Sequence, residues 1–335
     1  MGLKSKHETR RQNRPVMEAL EGRIVLSTLY ASTVTQLQAD IAAVNNTSGP
    51  NTILLKPGVY LMTSELQIQN AGDLTIRPSS LNKTPTNLVG SVVDRVLEID
   101  GGSVTLSGLS ITGGGAVAQG GGIRAQNASL TLKDTKVYSN ISTQSGAGIY
   151  TQGGTLDLQD SSVTNNRSSS STSAVGGGIF ALDTNVTLTG SSVGENSLYA
   201  YSQQTMGAVD ASGAGIFAEG GSLSVTGSTL SGDTIYAVTT GTSAATSGAA
   251  ISTLQTPVTV SKSTFQYDAL NTVSYGAAST EGSVFATNGG SLTLLNSNLG
   301  KNAPGGMRSF FHPGATVTIT NMYIDGLKFS GTLNP

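Results

Sequence analysis

The sequence predicts an all-β chain wound into a right-handed parallel β-helix, a solenoid of about nine to ten coils with a short N-terminal capping helix. Three observations lead there. One apolar pattern returns seven times in a single register from residue 97 onward. Gly supplies 43 of the 335 residues and charged residues only 11%, too little charge for a coiled coil or a typical disordered chain. A segment with helical spacing of apolar residues stands ahead of the repeats. The right hand follows from the chirality of parallel crossovers.

Residues 1–27 are polar and basic, with six Lys/Arg against three Asp/Glu, and are expected to form a disordered segment associated with export. No apolar stretch follows Arg10 and Arg11, so neither a twin-arginine nor an ordinary secretory signal is present. The remaining residues carry a net charge of −5. A mildly acidic body is a poor nucleic-acid binder, because phosphate binding needs clustered Lys and Arg. No apolar run approaches the roughly 18 residues of a membrane span.

Residues 28–96 form the N-terminal cap and first coils. Val34 to Val44 has helical spacing, with Thr33 as N-cap. Strand-like stretches follow at 52–56, 59–61, 66–68 and 73–77, with Pro57-Gly58 as a turn. A helix over the open end of a solenoid covers an edge that would otherwise pair with other chains.

Residues 97–335 hold the repeats and the C-terminal cap. The zero position of each coil is Leu97, Ile123, Ile149, Ile179, Ile216, Ile251 and Val284. Apolar residues recur seven, nine and fourteen places later, as Leu130, Leu132 and Val137 do after Ile123. The last coil keeps the pattern with one extra residue. Seventeen places after zero comes Asn140, Asn166, Asn196, Asp233 or Asp268, read as the corner residue that tolerates a left-handed bend and whose stacked side chains can hydrogen-bond along the solenoid axis. A unit this small cannot bury its apolar face alone, but in-register stacking at about 4.8 Å buries a continuous ladder. All growth between coils falls in one loop, at 141–146, 167–176, 197–213, 234–248 and 269–281. Loops that vary on one side of a solenoid are where such proteins commonly bind.

Three resemblances attach to these residues. Residues 51–60 (NTILLKPGVY) with the strands after them resemble the start of right-handed parallel β-helix proteins of the pectate-lyase-like superfamily. Gly122-Ile123 with Val137 and Asn140, Gly178-Ile179 with Val193 and Asn196, and Phe265 with Asp268 resemble repeats of chlamydial polymorphic outer membrane proteins and related adhesin passengers. Here Val or Leu mostly replaces the Phe of that pattern, and Asp replaces two Asn. Arg14-Pro15 and Leu20 to Ser27 resemble a motif that opens many planctomycete surface proteins. Together they imply an extracellular or cell-envelope protein.

Two constellations are candidates for chemistry. Asp134 and Asp160 share a position in adjacent coils, with Lys133 beside one and Asp157 on the strand of the other. Stacked carboxylates repel unless a proton or cation intervenes, and oxygen ligands suit Ca²⁺. Asp134, Asp157 and Asp160 are therefore a candidate metal site, and Lys133, Asp134 and Asp160 a candidate lyase site. Set against this is an exposed, solvated Asp pair of little energetic weight. The second constellation is aromatic. One place after zero stand Tyr150, Phe180, Phe217 and Phe285, a column pointing away from the core. Exposed rings in a row would form a sugar platform; the competing expectation is that the long loops fold over them. The loops add Tyr199, Tyr201 and Tyr236 among Ser and Thr, a composition like that of antibody loops. Absence of Cys removes thiolate metal sites, and the two His, His7 and His312, leave little for a triad.

Two functions compete. The first is a non-enzymatic envelope protein that binds polysaccharide or a surface partner through the loop side, without a cofactor. The second is a polysaccharide lyase or related carbohydrate-active enzyme, Ca²⁺-dependent, using the Asp134 and Asp160 pair.

Overall fold

The structure, a computed structural model, describes residues 27–80, 84–115, 117–203, 207–274, 277–282, 284–300, 302, 310–311, 316–324 and 327–333. Met206, Tyr275 and both His fall outside them. The chain is a right-handed parallel β-helix. The helix Val34–Val44 sits where its periodicity places it, with Thr33 Oγ1 accepting from the Gln36 N–H at 3.2 Å. It buries Leu37, Ile41 and Val44 over the first strands. At the far end Thr316–Ile324 pairs antiparallel with Leu327–Leu333, and this reversal ends the parallel stack.

Each coil turns at fixed left-handed positions. In the coil that starts at Ile123, the strand Ile123–Lys133 bends at Asn127 (φ 50°) and ends at Asp134 (φ 48°). The short strand Lys136–Tyr138 ends at Ser139 (φ 53°), and Gly146 (φ 57°) leads into the next coil. The Asn at the seventeenth place is not itself left-handed. The residue before it is: Ser139, Asn165, Glu195, Gly232 and Tyr267 all have positive φ. This corrects the corner role expected for the Asn, whose side chains turn inward instead.

The apolar ladder is the core. Ile123, Leu130, Leu132 and Val137 are fully buried, and their counterparts pair in register, Ile149 with Ile123 and Ile179, Leu156 with Leu130 and Val186. One register assignment changes. Ile251 pairs with Phe285, not Val284. Counted from Phe285, the last coil is regular and needs no extra residue. Phe285 is accordingly a core residue, fully buried and packed on Phe265 at 4.8 Å, and does not belong to the outward aromatic column.

The insertions are not loops. They form a second parallel sheet, an arm built of outgoing and returning strands. Outgoing are Ile141–Ser145, Arg167–Ser170, Ser197–Ser202, Thr234–Thr239 and Ala269–Ser274. Returning are Ser173–Val175, Ala208–Ser212, Ser243–Ser247 and Ala277–Glu281. Between the layers lies a separate small core that includes Leu198, Ala200, Val209, Ala211, Ile235 and Ala237. Leu198 and Ile235 alternate with outward Tyr199 and Tyr236 in the two-residue period of a strand. Small Ala side chains let the two layers approach closely.

Candidate functional site

The outward column one place after zero runs Glu98, Arg124, Tyr150, Phe180, Phe217, Ser252 and Ala286 through seven coils. Glu98 pairs with Arg124, whose guanidinium lies 6.0 Å from the centre of the Tyr150 ring. Tyr150 stacks on Phe180 with centroids 5.0 Å apart, and Phe180 on Phe217 at 5.4 Å, with the planes nearly parallel. Burial raises the Tyr150 hydroxyl above its usual range, opposed by Arg124 and by a hydrogen bond with Gln119.

These rings are not an open platform. Tyr150 is 4% and Phe180 9% exposed, and only Phe217 is half-buried. The cause is the root of the arm. A side chain at Gly146 would lie 2.9 Å from Tyr150 Cβ, and one at Gly176 would lie 2.8 Å from Phe180 Cβ. The arm thus folds back directly over the ladder, and only Gly permits that approach with positive φ. The rings also cover one another, since face-to-face stacking consumes the surface a sugar would need.

The tyrosines of the arm are more open. Tyr199 and Tyr236 stack at 4.9 Å, and the Arg167 guanidinium lies 4.3 Å from the Tyr199 ring centre. That leaves the second face of Tyr236, opposite Asn271 in the next strand, without a ring. Tyr236 is 37% and Tyr201 49% exposed. Around them stand Ser169, Ser197 and Thr234 on the same flat face.

The acidic constellation resolves into backbone geometry. Asp134 and Asp160 are exposed and stand in adjacent coils, as the register requires. Both are left-handed corners, with φ 48° and 49°. The same corner in other coils is Gly108, Gly190, Gly227, Lys262 or Asn296, all with positive φ. A position that accepts Gly, Asp, Asn and Lys is chosen for its backbone and not for carboxylate chemistry. Asp157 Oδ2 accepts from Gln159 Nε2 at 2.7 Å. Among the described residues no three Asp, Glu or His converge on a metal position, and no ion pair joins Lys133 to Asp134 or Asp160. Asp134, Asp157 and Asp160 thus form no metal cluster among the described residues, while Lys133, Asp134 and Asp160 stand side by side in adjacent coils without an ion pair between them.

The hydrogen-bonded Asn column expected along the solenoid axis is present, but it lies fully buried inside the coil, and a second ladder of hydroxyls accompanies it. Asn140 Nδ2 donates to Asn166 Oδ1 and to the Ile111 carbonyl, and the Asn140 N–H donates to the same Oδ1, all within 3.2 Å. Asn166 repeats this with Asn196, and Asn196 with Asp233. A second ladder joins Thr135, Ser161, Ser191, Ser228 and Ser263, each N–H donating to the hydroxyl one coil on. Asp233 is the exception within the first ladder. Burial pushes its carboxyl up to about 8, two hydrogen bonds from Asn196 oppose the rise, and the Glu195 charge adds to it. Burial raises Asp268 as well, reinforced by Asp233.

Among the described residues, clefts also lie apart from these ladders' interior. One of about 520 Å³ sits at the cap, lined by Gln38, Asn45, Glu65 and Asp94 among others. Another, of about 190 Å³, begins at Phe217. No helix among the described residues is long and apolar enough to cross a membrane.

No family model matches the chain, and no curated protein matches it. A solved structure, that of an alginate lyase from Paenibacillus sp. str. FPU-7, aligns over 78% of this chain and 99% of its own, with 13% identity and a TM-score of 0.34. A likeness that low bears on neither the site nor the activity.

Proposed function

We propose that this protein is a non-enzymatic binding protein of the cell envelope or its exterior, and that the outer face of the arm holds a polysaccharide. The observation that carries the proposal is the exposed Tyr201 and Tyr236 on a flat sheet face that also carries Ser169, Ser197 and Thr234. An aromatic face with wet edges is what a sugar chain packs on, and hydroxyls on either side supply donors and acceptors. In-register strands about 4.8 Å apart repeat that surface along the arm, which suits an extended polymer. Arg167 at one end adds a cation near the ring stack. Ca²⁺ has no part in this reading.

The test is affinity electrophoresis of the full chain through gels containing neutral and acidic polysaccharides. Wild type is expected to be retarded by at least one of them. Tyr201→Ala with Tyr236→Ala should abolish the retardation while the protein still unfolds cooperatively in urea, at a cost of about 2 kcal/mol or less from the lost stack of Tyr236 on Tyr199. Retardation that survives the double substitution would place binding elsewhere. Polymer cleavage during the run would replace a binding role with a catalytic one.

A further inference from the structure

We propose that the cleft at the end of the aromatic ladder is a slot for one neutral pyranose ring, stacked on the face of Phe217 that Phe180 leaves open. The ladder has a rhythm of one ring per coil, at 5.0 and 5.4 Å. It stops abruptly. Ser252 stands opposite Phe217 in the next coil, and Ala286 opposite Ser252 in the one after. Two successive ring positions are therefore filled by the smallest side chains, and the space they leave is the cleft of about 190 Å³.

The lining defines the ligand. Phe217 provides an apolar wall, and Ser212, Ser247, Ser252, Thr287 and Asn288 provide most of the remainder. The serines are already aligned: Ser212 and Ser247 hydroxyls lie 2.8 Å apart, and Ser247 and Ser252 hydroxyls 3.5 Å. Each hydroxyl can donate and accept, so the row can turn toward a ligand's rim. A pyranose has that dual character, with axial C–H groups on one face and hydroxyls around the edge. No lining residue is charged, so a uronate carboxylate would enter without a cation to meet it. The volume falls below the roughly 300 Å³ at which pockets hold drug-sized molecules, which limits the occupant to a single ring. The slot lies at the root of the arm and stands on its own observations, independent of any polymer on the arm's outer face.

Saturation-transfer NMR on the full chain tests it, with methyl glycosides of glucose, galactose and mannose at millimolar concentration. Glucuronate serves as the acidic control and phenol as the planar aromatic control. At least one neutral glycoside is expected to receive saturation at its ring C–H protons. Ser252→Phe puts a ring where the ladder lacks one, and should weaken that signal by about tenfold or more with the fold intact. Phe217→Leu keeps the apolar volume but removes the ring face, and should weaken it as much if Ser252→Phe fails to fold. No transfer to any neutral glycoside overturns the proposal. So does equal binding of glucuronate, binding of phenol alone, or a signal indifferent to both substitutions. Loss on Tyr236→Ala instead of on Ser252→Phe moves the site to the arm face, which overturns the slot and leaves the arm reading standing.

Discussion

Replacing Asp233 by Asn should stabilise the protein near neutral pH and leave it unchanged in acid. In the polar ladder each Asn offers Oδ1 to the coil before it and Nδ2 to a neighbouring carbonyl and to the next Oδ1. Asp233 performs the first half: its Oδ1 accepts from the N–H and the Nδ2 of Asn196, both at 3.0 Å. Its Oδ2 has no partner. That oxygen occupies the place of the missing amide nitrogen. A Cβ on Gly215 would lie 2.6 Å from Asp233 Oδ2, as one on Gly178 would lie 2.8 Å from Asn196 Nδ2. An ionised carboxylate there would set a bare negative oxygen against the Asp268 carboxyl in a site with no solvent access. A protonated Asp233 can donate from Oδ2 as an amide would. Its folded pKa of about 8 lies above the unfolded value of 3.8, so the folded state binds the extra proton. The contribution is complete below 3.8 and is lost as pH rises through about 8. Within that window stability falls by about 1.4 kcal/mol per pH unit for one such group, or about 4 kcal/mol by pH 7 as a ceiling. Asp268 acts in the same direction. Urea unfolding of wild type and Asp233→Asn at about pH 4.5, 6 and 7.5, at matched ionic strength, measures the gap. The gap should open steadily with pH in favour of the variant. A gap that stays constant, or closes, refutes the protonated ladder.

Three other outcomes follow from the same geometry. Asn166→Ala leaves the buried N–H and amide of Asn140 without their acceptor and should cost about 3 kcal/mol or more in urea unfolding. Gly148→Ala and Gly227→Ala separate crowding from backbone strain: the first would press a Cβ to 2.6 Å from the Gly178 carbonyl, while the second has φ +58° and nothing within 4 Å. Gly227→Ala should cost about 1–2 kcal/mol and fold normally, whereas Gly148→Ala should lower the midpoint by more and disturb the adjacent coils seen by NMR. Asp160→Gly should keep or slightly raise the thermal midpoint, because φ there is 49°, and added Ca²⁺ should not shift the midpoint of wild type; a Ca²⁺-induced rise that Asp160→Gly removes would restore the metal reading.

The coil was legible because its apolar residues do one job. Ile, Leu and Val at zero, seven, nine and fourteen all face one core, so their spacing survives any change in the loops. Val284 and Phe285 show the limit of that signal. Both are apolar and both are buried, and pairing with Ile251 shows which one holds the zero position; the regular spacing to Leu292 and Leu294 from Phe285 was the available clue. The arm was illegible for a different reason. Its core is made of Ala with few larger residues, so stretches such as Thr234–Thr239 carry a weak period that resembles a Ser/Thr-rich loop. The Asn column was visible and so were its hydrogen bonds along the axis, but its place inside the coil, one residue after the left-handed corner, was not. A repeated Asn fits a left-handed corner and a buried ladder equally well in sequence, and the actual corner residues, Ser139, Asn165, Glu195, Gly232 and Tyr267, share no chemistry that would reveal them.

The acidic and aromatic columns teach the same rule with opposite surfaces. In a solenoid, each side chain meets its own counterpart from the next coil, so a vertical run of one residue type is first a statement about self-contact. Tyr150, Phe180 and Phe217 stack on one another before they can stack on anything else. Asp134 and Asp160 stand beside one another because each occupies a corner, and the run ends in Gly190 without consequence for the turn. A ligand therefore finds room not where a column is most regular but where it is interrupted. Among the described residues, the interruption at Ser252 and the open ring face at Tyr236 are two such places. That is why the binding proposals rest on them and not on the longest columns.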